Sequence, residues 1–395
     1  MEGLRGGGFT GQITVISEEG YRPIDRTKLS KALLADVSKV AWRPEEFYKD
    51  ASIDIVEDEA TGVDFGAKTV ATKSGKTYSY TKLVLATGGT PNWLPLPGLK
   101  GDLGNVFILR SVPHAKAIVD AVGENGKKIV VVGSSFIGME VANCLAGKKN
   151  DVTVVGMEKV PLERVMGEKV GGIFQALLEK NGIKFKMEAS VDKATPSESD
   201  PSKVGAVLLK DGTVLEADLV IEGVGVRPAT QWLKNSPGIT LERDGGIRTN
   251  EVFAVNGLSD VYAIGDIAAY PYHGPGGTGN YVRIEHWNVA QNAGRSVAND
   301  INNGGPAKVF IPVFWSALGS QLRYCGNTMA GYDDIVLNGD IDKPSFIAYY
   351  TKGETVVAVA SMMKDPYMVQ ASELMRVGRM PSKSELQKGA DILQL

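Results

Sequence analysis

The chain has 395 residues, with 43 Lys plus Arg against 46 Asp plus Glu and 47 glycines. This length allows two or three domains, and the nearly balanced charge argues against nucleic acid or an anionic membrane surface as a partner. No apolar run reaches transmembrane length and no signal or transit peptide is recognisable, so we expect a soluble cytoplasmic protein; a mitochondrial location would require a targeting segment upstream of Met1.

The first glycine cluster matches a nucleotide-binding motif by spacing alone. Gly6, Gly8 and Gly11 satisfy G-x-G-x-x-G, a motif that binds a pyrophosphate only where a strand precedes the glycine turn and a helix follows it. Only five residues precede Gly6, and the β-branched run at 13–16 that follows indicates a strand. We therefore predict a helix-to-strand loop here.

Short apolar runs further along the chain predict an α/β fold. They lie at 13–16, 83–86, 129–132, 152–155, 219–221 and 261–264, and they alternate with helical patterns at 139–146 and 170–181. Continuous apolar runs of this kind indicate buried parallel strands, which predicts Rossmann-like domains. From residue 309 onward, apolar and polar residues alternate, which predicts antiparallel strands closed by a helix over 370–376.

These patterns predict three domains. The first comprises residues 1–115 and 244–306, and the second, residues 116–243, is inserted into it. The third, residues 307–395, is a C-terminal α+β domain.

Residues 127–140 place their glycines where a dinucleotide-binding loop needs them. A strand ends at Gly133, which makes the tight turn, and Gly138 allows the following helix to pack on the strand. Ser135 stands at the position of the middle glycine, and Phe136 and Ile137 begin the helix whose N-terminus would face the pyrophosphate. The stretch predicts a nicotinamide-nucleotide site; helix–strand packing without a ligand is the alternative.

An acidic residue follows the next strand at the spacing of a ribose ligand. Glu158 lies about 20 residues after Gly138, where a carboxylate binds the ribose hydroxyls, and this favours NADH. Lys159 and Arg164 could neutralise a 2′-phosphate and keep NADPH open. The alternative interpretation of Glu158 and Arg164 is a solvated charge pair at the helix entry.

The sequence offers little support for a disulfide or a metal site. Cys144 and Cys325 are the only cysteines, and the three histidines, His114, His273 and His286, form no cluster with them. We expect both thiols to be small buried hydrophobic groups, and we assign no metal ligand.

Three further stretches resemble the two-dinucleotide flavoprotein reductases. They are the strand-end ATGG at 86–89, the second flavin signature at 261–266 and the crossing strand EGVGVRP at 222–228. Residues 21–31, 283–287 and 314–316 are similar to apoptosis-inducing-factor-like and ferredoxin-reductase-like proteins of the pyridine nucleotide-disulfide oxidoreductase superfamily, and 349–362 to the branch that often carries a Rieske domain. The resemblance implies that the first domain binds FAD and the inserted domain binds NAD(P)H.

The same resemblance implies roles for individual residues. Glu18 would bind the adenosine ribose of FAD, Arg26 the phosphates and Asp266 the ribityl chain, while Lys31 and Glu140 would form the catalytic pair beside flavin N5. The other implied cofactor-binding positions are Ala60 (backbone to the adenine), Thr87, Gly88, Arg110, Gly225, Gly265, Glu285, and the flavin-lining His286, Trp287 and Trp315. In the alternative interpretation Arg26 and Lys31 are surface charges and the tryptophans are core residues.

The N-terminus differs from this family. There a strand, a true G-x-G-x-x-G loop and a helix precede the stretch at 6–19 and carry the FAD pyrophosphate, so we expect this sequence to lack that loop. Loss of a central strand would leave the edges of its neighbours exposed. Thr27 also replaces a proline that is usual in the family.

The predicted function is hydride transfer from NAD(P)H to FAD, followed by electron transfer to an iron–sulfur protein, such as a ferredoxin or a Rieske protein, or to a quinone. The absence of a cysteine pair argues against a disulfide reductase. A monodehydroascorbate-type reductase is one alternative, and a non-catalytic NAD-binding signalling protein is the other.

Overall fold

The computed structural model describes residues 1–305, 307, 309–340 and 344–395. Residue 306, the last residue of the predicted second segment of the first domain, lies outside this range. No helix in the described part of the chain combines the length and the apolar character needed to cross a membrane.

The strands, in chain order, are β1 (Ile13–Ser17), β2 (Ile53–Glu57), β3 (Ala60–Asp64), β4 (Thr69–Thr72), β5 (Thr77–Ser79), β6 (Leu83–Leu85), β7 (Gly89–Pro91), β8 (Val106–Ile108), β9 (Lys128–Val132), β10 (Asp151–Val155), β11 (Lys184–Lys186), β12 (Val191–Pro196), β13 (Val204–Leu209), β14 (Val214–Glu216), β15 (Leu219–Glu222), β16 (Val226–Pro228), β17 (Ile247–Arg248), β18 (Val261–Ala263), β19 (Ala268–Tyr272), β20 (Asn280–Val282), β21 (Val313–Ala317), β22 (Gln321–Gly326), β23 (Asp334–Asp340), β24 (Ser345–Lys352) and β25 (Thr355–Met362). The α-helices are α1 (Glu2–Gly6), α2 (Thr27–Ala32), α3 (Val37–Val40), α4 (Glu45–Asp50), α5 (Val112–Val122), α6 (Phe136–Ala146), α7 (Glu163–Lys180), α8 (Trp287–Asn303), α9 (Tyr367–Arg376) and α10 (Lys383–Gln387). Short 3₁₀ turns lie at Gln231–Leu233, Gly265–Ile267 and Ile392–Gln394.

The predicted parallel sheet is present in the middle of the chain. Its strand order is β11-β10-β9-β15-β8, and every pair in it is parallel. Both faces are buried: α6 and α7 cover one, and the antiparallel meander β12-β13-β14 covers the other. The sequence analysis did not predict this meander: β12 is interrupted by polar residues, whereas β13 is an apolar run that was not recognised as a strand. Strand β8 lies on the N-terminal side of the predicted boundary at residue 116, so the sheet extends beyond that boundary.

Two further parallel strand pairs lie outside this sheet. Strand β1 pairs in parallel with β2, and β6 pairs in parallel with β18. Among the described strands β1 and β6 have no other ladder partner, and both strands line the same large cavity.

The opening glycines lie in a helix-to-strand loop, as predicted. Helix α1 ends at Gly6, Gly8 has a φ of +90°, and the chain then enters β1. The Arg5 guanidinium fixes this loop by donating to the backbone carbonyls of Phe9 and Gly11 at 2.7 and 2.8 Å.

A third unit closes the chain. Its antiparallel sheet has the order β21-β22-β25-β24-β23, and α9 packs on it over a core that includes Tyr349, Val359 and Leu374. This arrangement confirms the predicted C-terminal α+β architecture. An antiparallel pair, β7 with β16, connects the N-terminal region to the end of the parallel sheet.

Candidate functional site

The three units meet around one cavity of about 2610 Å³. A pocket for one drug-sized ligand is typically about 300–1,000 Å³, so this cavity has room for more than one such molecule. Its wall includes β1, β6, the first turn of α6, the Gly265–Ile267 turn, the start of α8, and β21.

The glycine loop between β9 and α6 has the close contacts that its sequence predicts. Gly133 has a φ of +109°, and a Cβ there would lie 2.3 Å from the carbonyl oxygen of Gly223. A Cβ on Gly138 would lie 2.2 Å from the carbonyl oxygen of Gly133, which leaves room only for hydrogen. Ser135, the N-cap residue of α6, lines the cavity together with Phe136 and Ile137. The helix N-terminus therefore presents unpaired backbone N–H groups to the cavity.

Glu158 stands at the end of β10 with its charge compensated. The Arg164 guanidinium lies 2.7 Å from its carboxylate, and the Ser134 hydroxyl in the glycine loop donates to it at 3.1 Å. Burial alone would raise the pKa of Glu158, but backbone, Ser134 and Arg164 contacts outweigh it and hold the pKa below its ordinary value. The Glu158–Arg164 charge pair that the sequence left as an alternative is present. The Ser134 hydrogen bond connects Glu158 to the glycine loop.

The predicted pairing of Lys31 with Glu140 is present in the wall of the cavity. The Lys31 ammonium lies 2.9 Å from a Glu140 carboxylate oxygen. Two hydroxyls that the sequence did not single out also donate to this carboxylate: Ser30 at 2.5 Å and Ser316 at 2.6 Å. The adjacent Phe314 ring packs edge-on against Phe136, with 4.8 Å between the ring centroids.

Two arginines in the wall are held by carboxylates. Arg26 donates to both oxygens of Glu19 at 2.7 and 2.8 Å and to the carbonyl oxygen of Arg110 at 2.7 Å. The Arg110 guanidinium lies 2.6 Å from an Asp266 oxygen. Burial opposes ionisation of Glu19, but the Arg26 guanidinium outweighs it and lowers the pKa of Glu19.

The ATGG turn packs directly on the Arg110–Asp266 pair. Gly88 has a φ of +70°, and a Cβ there would lie 3.1 Å from the Arg110 guanidinium; a Cβ on Gly89 would lie 3.3 Å from the Asp266 carboxylate. The Thr87 hydroxyl donates instead to the carbonyl oxygen of Ala229 at 2.7 Å. Gly265, with a φ of +71°, turns the chain into Asp266.

The remaining predicted residues lie after the end of β1, at the start of β3 and in two loops of the cavity wall. Glu18 is exposed at the carboxyl end of β1, and Ala60 begins β3; both line the cavity. Gly225, with a φ of +93°, lies in the loop between β15 and β16. Glu285 lies 2.5 Å from the Arg283 guanidinium.

Aromatic residues from the start of α8 and from β21 form part of the cavity wall. The His286 ring packs 4.6 Å from Phe314 between centroids, its Nδ1 is buried with no hydrogen-bond partner among the described residues, and burial lowers the pKa of His286 to about 4. Trp287 packs edge-on against Trp42 at 5.1 Å. Trp315 is 38% exposed, so it is not a core residue.

The residues present fit an FAD in this cavity. An exposed carboxylate follows β1, arginines lie near the glycine turn, and a buried histidine nitrogen has no partner among the described residues; these groups suit the ribose, the pyrophosphate and the ring of the cofactor.

One titratable side chain at this end of the sheet was not predicted as a site residue. Glu222, the last residue of β15, is 3% exposed; one oxygen accepts from the Leu94 N–H at 2.7 Å and the other has no partner among the described residues. Burial, with a smaller contribution from Asp102, raises its pKa to about 8. A carboxyl group inside an otherwise apolar strand was the signal in the sequence.

The structure thus brings the predicted residues to one cavity with three exceptions. Gly133, Gly138 and Glu158 lie behind the wall and shape it, whereas the others line it. Ser30, Ser316, Ser134 and Glu19 were missed, because serines and surface-like acids have no spacing signature. Cys325 is fully buried, and burial raises its pKa to about 12; Cys144 is only partly buried, so that prediction was half right.

Comparison with known proteins identifies the fold and the family. The sequence profile described as pyridine nucleotide-disulphide oxidoreductase matches residues 2–294, and the profile described as reductase C-terminal matches residues 313–394. The chain is 36% identical over 388 residues to human apoptosis-inducing factor 3, covering 98% of this chain and 62% of that protein. It is 31% identical over 377 residues to monodehydroascorbate reductase 3 from Arabidopsis thaliana, covering 88% and 82% of the two chains.

Solved structures give the same fold along the whole chain. A ferredoxin reductase from Rhodopseudomonas palustris superposes with a TM-score of 0.91 at 26% identity, covering 100% of this chain and 95% of that one. The putidaredoxin reductase–putidaredoxin covalent complex gives a TM-score of 0.89 at 29% identity, with coverages of 98% and 91%. By contrast, the chain spans only 62% of the length of the apoptosis-inducing factor 3 relatives that it matches.

Proposed function

This chain belongs to the pyridine nucleotide-disulphide oxidoreductase family, and on that basis we propose that it is an NAD(P)H-dependent FAD oxidoreductase that delivers electrons to an iron–sulfur protein. The observation that carries the proposal is that two loops suited to nucleotide binding open into one cavity beside a largely buried ion pair. The glycine loop at α6 and the arginine-lined ATGG turn open into the same cavity, and the Lys31–Glu140 pair lies in its wall.

The nicotinamide nucleotide is assigned to the α6 side. Backbone N–H groups at the start of α6 would bind its pyrophosphate, and Glu158 would accept hydrogen bonds from its ribose hydroxyls. The Glu158 carboxylate would repel a 2′-phosphate, so the site favours NADH over NADPH. The two nearby cations are both paired, Arg164 with Glu158 and Lys159 with Glu168.

FAD is assigned to the other side, where it supplies a hydride acceptor that can release electrons one at a time. Glu18 would bind its adenosine ribose, Arg26 and Arg110 its phosphates, and Asp266 its ribityl chain. The Lys31 ammonium would offer positive charge to the reacting end of the ring, which favours a reduced, more anionic ring. His286, Trp287 and Trp315 would exclude water from its other face.

The acceptor is inferred from the kind of protein that this chain resembles. The solved neighbours are a ferredoxin reductase and a putidaredoxin reductase in complex with putidaredoxin. We infer a soluble iron–sulfur protein, of ferredoxin or Rieske type, as the partner; a quinone is the remaining acceptor class. The similarity to monodehydroascorbate reductase 3 supports a second candidate, reduction of a small organic radical by the same flavin.

The test begins with the chain alone. We would incubate it with FAD, remove unbound cofactor by gel filtration, and add NADH without oxygen while recording the flavin spectrum. We expect a yellow protein that bleaches, and then recovers its colour on addition of a ferredoxin-type protein faster than on addition of monodehydroascorbate radical or quinone. A colourless protein after incubation with FAD would exclude catalysis by this chain.

The Lys31→Met variant tests the site, and Lys28→Met on the same helix is its matched control. Lys28 is more exposed and lies 4.0 Å from Asp25, away from Glu140. Loss of one preorganised charge beside a reacting centre typically slows the step about 100-fold, so we expect slow bleaching in Lys31→Met and normal bleaching in Lys28→Met. Equal bleaching rates in the two variants would remove Lys31 from the proposed site.

A further inference from the structure

Three separate parts of the chain meet at Glu140, two of them supplying it with hydrogen bonds and charge. Ser30 and Lys31 come from α2 in the N-terminal region, Glu140 from α6, and Ser316 from β21 in the C-terminal unit. Ser30, Glu140 and Ser316 are all buried, at 8%, 4% and 2% exposure. Both oxygens of the carboxylate are thereby engaged, one by Ser30 and the other by Lys31 and Ser316.

Strand β21 holds α6 at two points one helical turn apart. Phe314 and Ser316 are two residues apart on the strand and therefore share one face. Phe136 and Glu140 are four residues apart on the helix and share one face as well. Phe314 packs on Phe136 at 4.8 Å while Ser316 donates to Glu140 at 2.6 Å, so the strand fixes both the position and the rotation of the helix start.

These hydroxyls have an electrostatic consequence. A buried carboxylate that lost a neutral donor would be poorly satisfied and would attract its remaining cation more strongly. That cation is Lys31, the charge assigned to the reacting end of the flavin. The serine hydroxyls therefore influence how tightly Glu140 holds the Lys31 ammonium, and hence how strongly the Lys31 charge can act on the flavin.

We propose that Ser316, together with Ser30, is a positioning residue that holds the Lys31–Glu140 pair in its reactive arrangement, and that the C-terminal unit thereby controls the flavin environment. The inference rests on the proposed function and deepens it. It assigns to β21 a role in the reductive step, in addition to forming part of the cavity wall.

The first measurement is the midpoint potential and the NADH-dependent bleaching rate of the FAD-loaded Ser316→Ala variant. We expect the potential to become more negative, because Lys31 is drawn toward Glu140 and stabilises the reduced ring less. We expect bleaching to slow by less than the roughly 100-fold that a 1 Å misplacement of a catalytic group can cost. Ser316→Thr keeps the hydroxyl and should return both quantities toward wild type.

Ser361→Ala is the matched control. Ser361 is 1% exposed in β25 of the same sheet, and its hydroxyl has no partner among the described residues. Its loss tests removal of a buried serine hydroxyl without disturbing Glu140, so we expect wild-type potential and bleaching rate. Effects equal to those of Ser316→Ala would show that the sheet, and not the hydrogen bond, is responsible.

A double-mutant cycle tests the bond independently of activity. Ser316→Ala should lower the thermal midpoint of the chain without added cofactor, and should lower it much less when Glu140 is already Gln. Additive effects in this cycle would overturn the proposal. If the cycle shows coupling but NADH does not reduce the flavin of the wild-type chain, the proposed function fails and the hydrogen bond stands. If NADH reduces the wild-type flavin normally, and Ser316→Ala has the same bleaching rate and midpoint potential as wild type, only the positioning role fails.

Discussion

At the scale of single residues, the chemistry depends on carboxylates whose neighbours set their charge. Glu158 is held ionised by Arg164 and Ser134, whereas Glu222 is buried with one free oxygen. The sequence predicted Glu158 from its distance to the glycine loop. It gave no way to predict Ser316 as a partner, because Ser316 meets Glu140 across 176 positions of the chain. Glu19 pairs with Arg26 only 7 positions away, but no spacing pattern distinguishes it from other acidic residues.

The Glu158→Ala variant tests the assigned ribose contact. A hydrogen bond to a charged group is typically worth about 1.5–3 kcal/mol, so we expect NADH affinity to fall roughly 10- to 100-fold. FAD retention should not change. Glu168→Ala, which removes an exposed carboxylate paired with Lys159, is the control for NADH titrations followed by nucleotide fluorescence. Parallel loss of FAD in Glu158→Ala would contradict the assignment.

The Glu222→Gln variant tests the buried carboxyl group. The pKa of Glu222 rises from an ordinary 4.5 to about 8 on folding, so the folded chain binds this proton more tightly than the unfolded chain. Its contribution to stability is complete below about pH 4.5 and is lost as the pH rises toward 8. Between about pH 5.5 and pH 8 the loss amounts to about 3 kcal/mol relative to the Gln variant, whose side chain does not titrate.

Urea unfolding of wild type and Glu222→Gln at several pH values measures this difference. The free energy of unfolding of wild type should fall relative to the variant as the pH rises. Glu216→Gln, an exposed carboxylate on the neighbouring β14, should follow wild type at every pH. Parallel curves for wild type and Glu222→Gln would show that this carboxyl group titrates normally in the folded chain.

At the scale of secondary-structure elements, the loop between β9 and α6 is the element that we propose binds NADH. The Gly138→Ala variant places a Cβ 2.2 Å from the Gly133 carbonyl oxygen, so helix and strand must separate. We expect NADH binding to be lost and the thermal midpoint to fall. Gly172→Ala on α7, where no atom lies within 4 Å of the added Cβ, is the control; it should stabilise the chain by about 0.5–1 kcal/mol. Retained NADH binding in Gly138→Ala would show that this loop does not bind the nucleotide.

The strands of the parallel sheet could be predicted because each is a continuous apolar run. The strand runs 129–132 and 152–155 were each predicted to within one residue of the observed bounds. The meander β12-β13-β14 was missed: β12 mixes polar with apolar residues, and the apolar run of β13 was not recognised as a strand. The packing of β21 against α6 was equally out of reach, because it joins residues about 180 positions apart.

At the scale of the whole molecule, the proposed FAD site lies in the cavity that β1 and β6 line, and each of these strands has one ladder partner among the described strands. Binding to the folded state alone stabilises it, by about 2.7 kcal/mol at a ligand concentration 100 times Kd. We expect added FAD to raise the thermal midpoint, and Arg26→Ala, which removes the proposed phosphate contact, to weaken that rise.

Arg22→Ala provides the comparison for this thermal assay. Arg22 is paired with Glu45 on the outer side of the same loop, at 2.6 Å, so its loss should leave the rise with FAD intact. A thermal midpoint that FAD does not change in the wild-type chain would mean that the chain does not bind the cofactor.

The most direct test of the central claim is anaerobic bleaching of the FAD-loaded chain by NADH carrying deuterium at C4. Hydride transfer from nicotinamide to flavin predicts bleaching that slows when deuterium occupies the transferred position and is unaffected when it occupies the other one. An FAD-loaded chain whose colour does not change with NADH would contradict the assignment of this cavity as the site of an NADH-dependent flavin reductase.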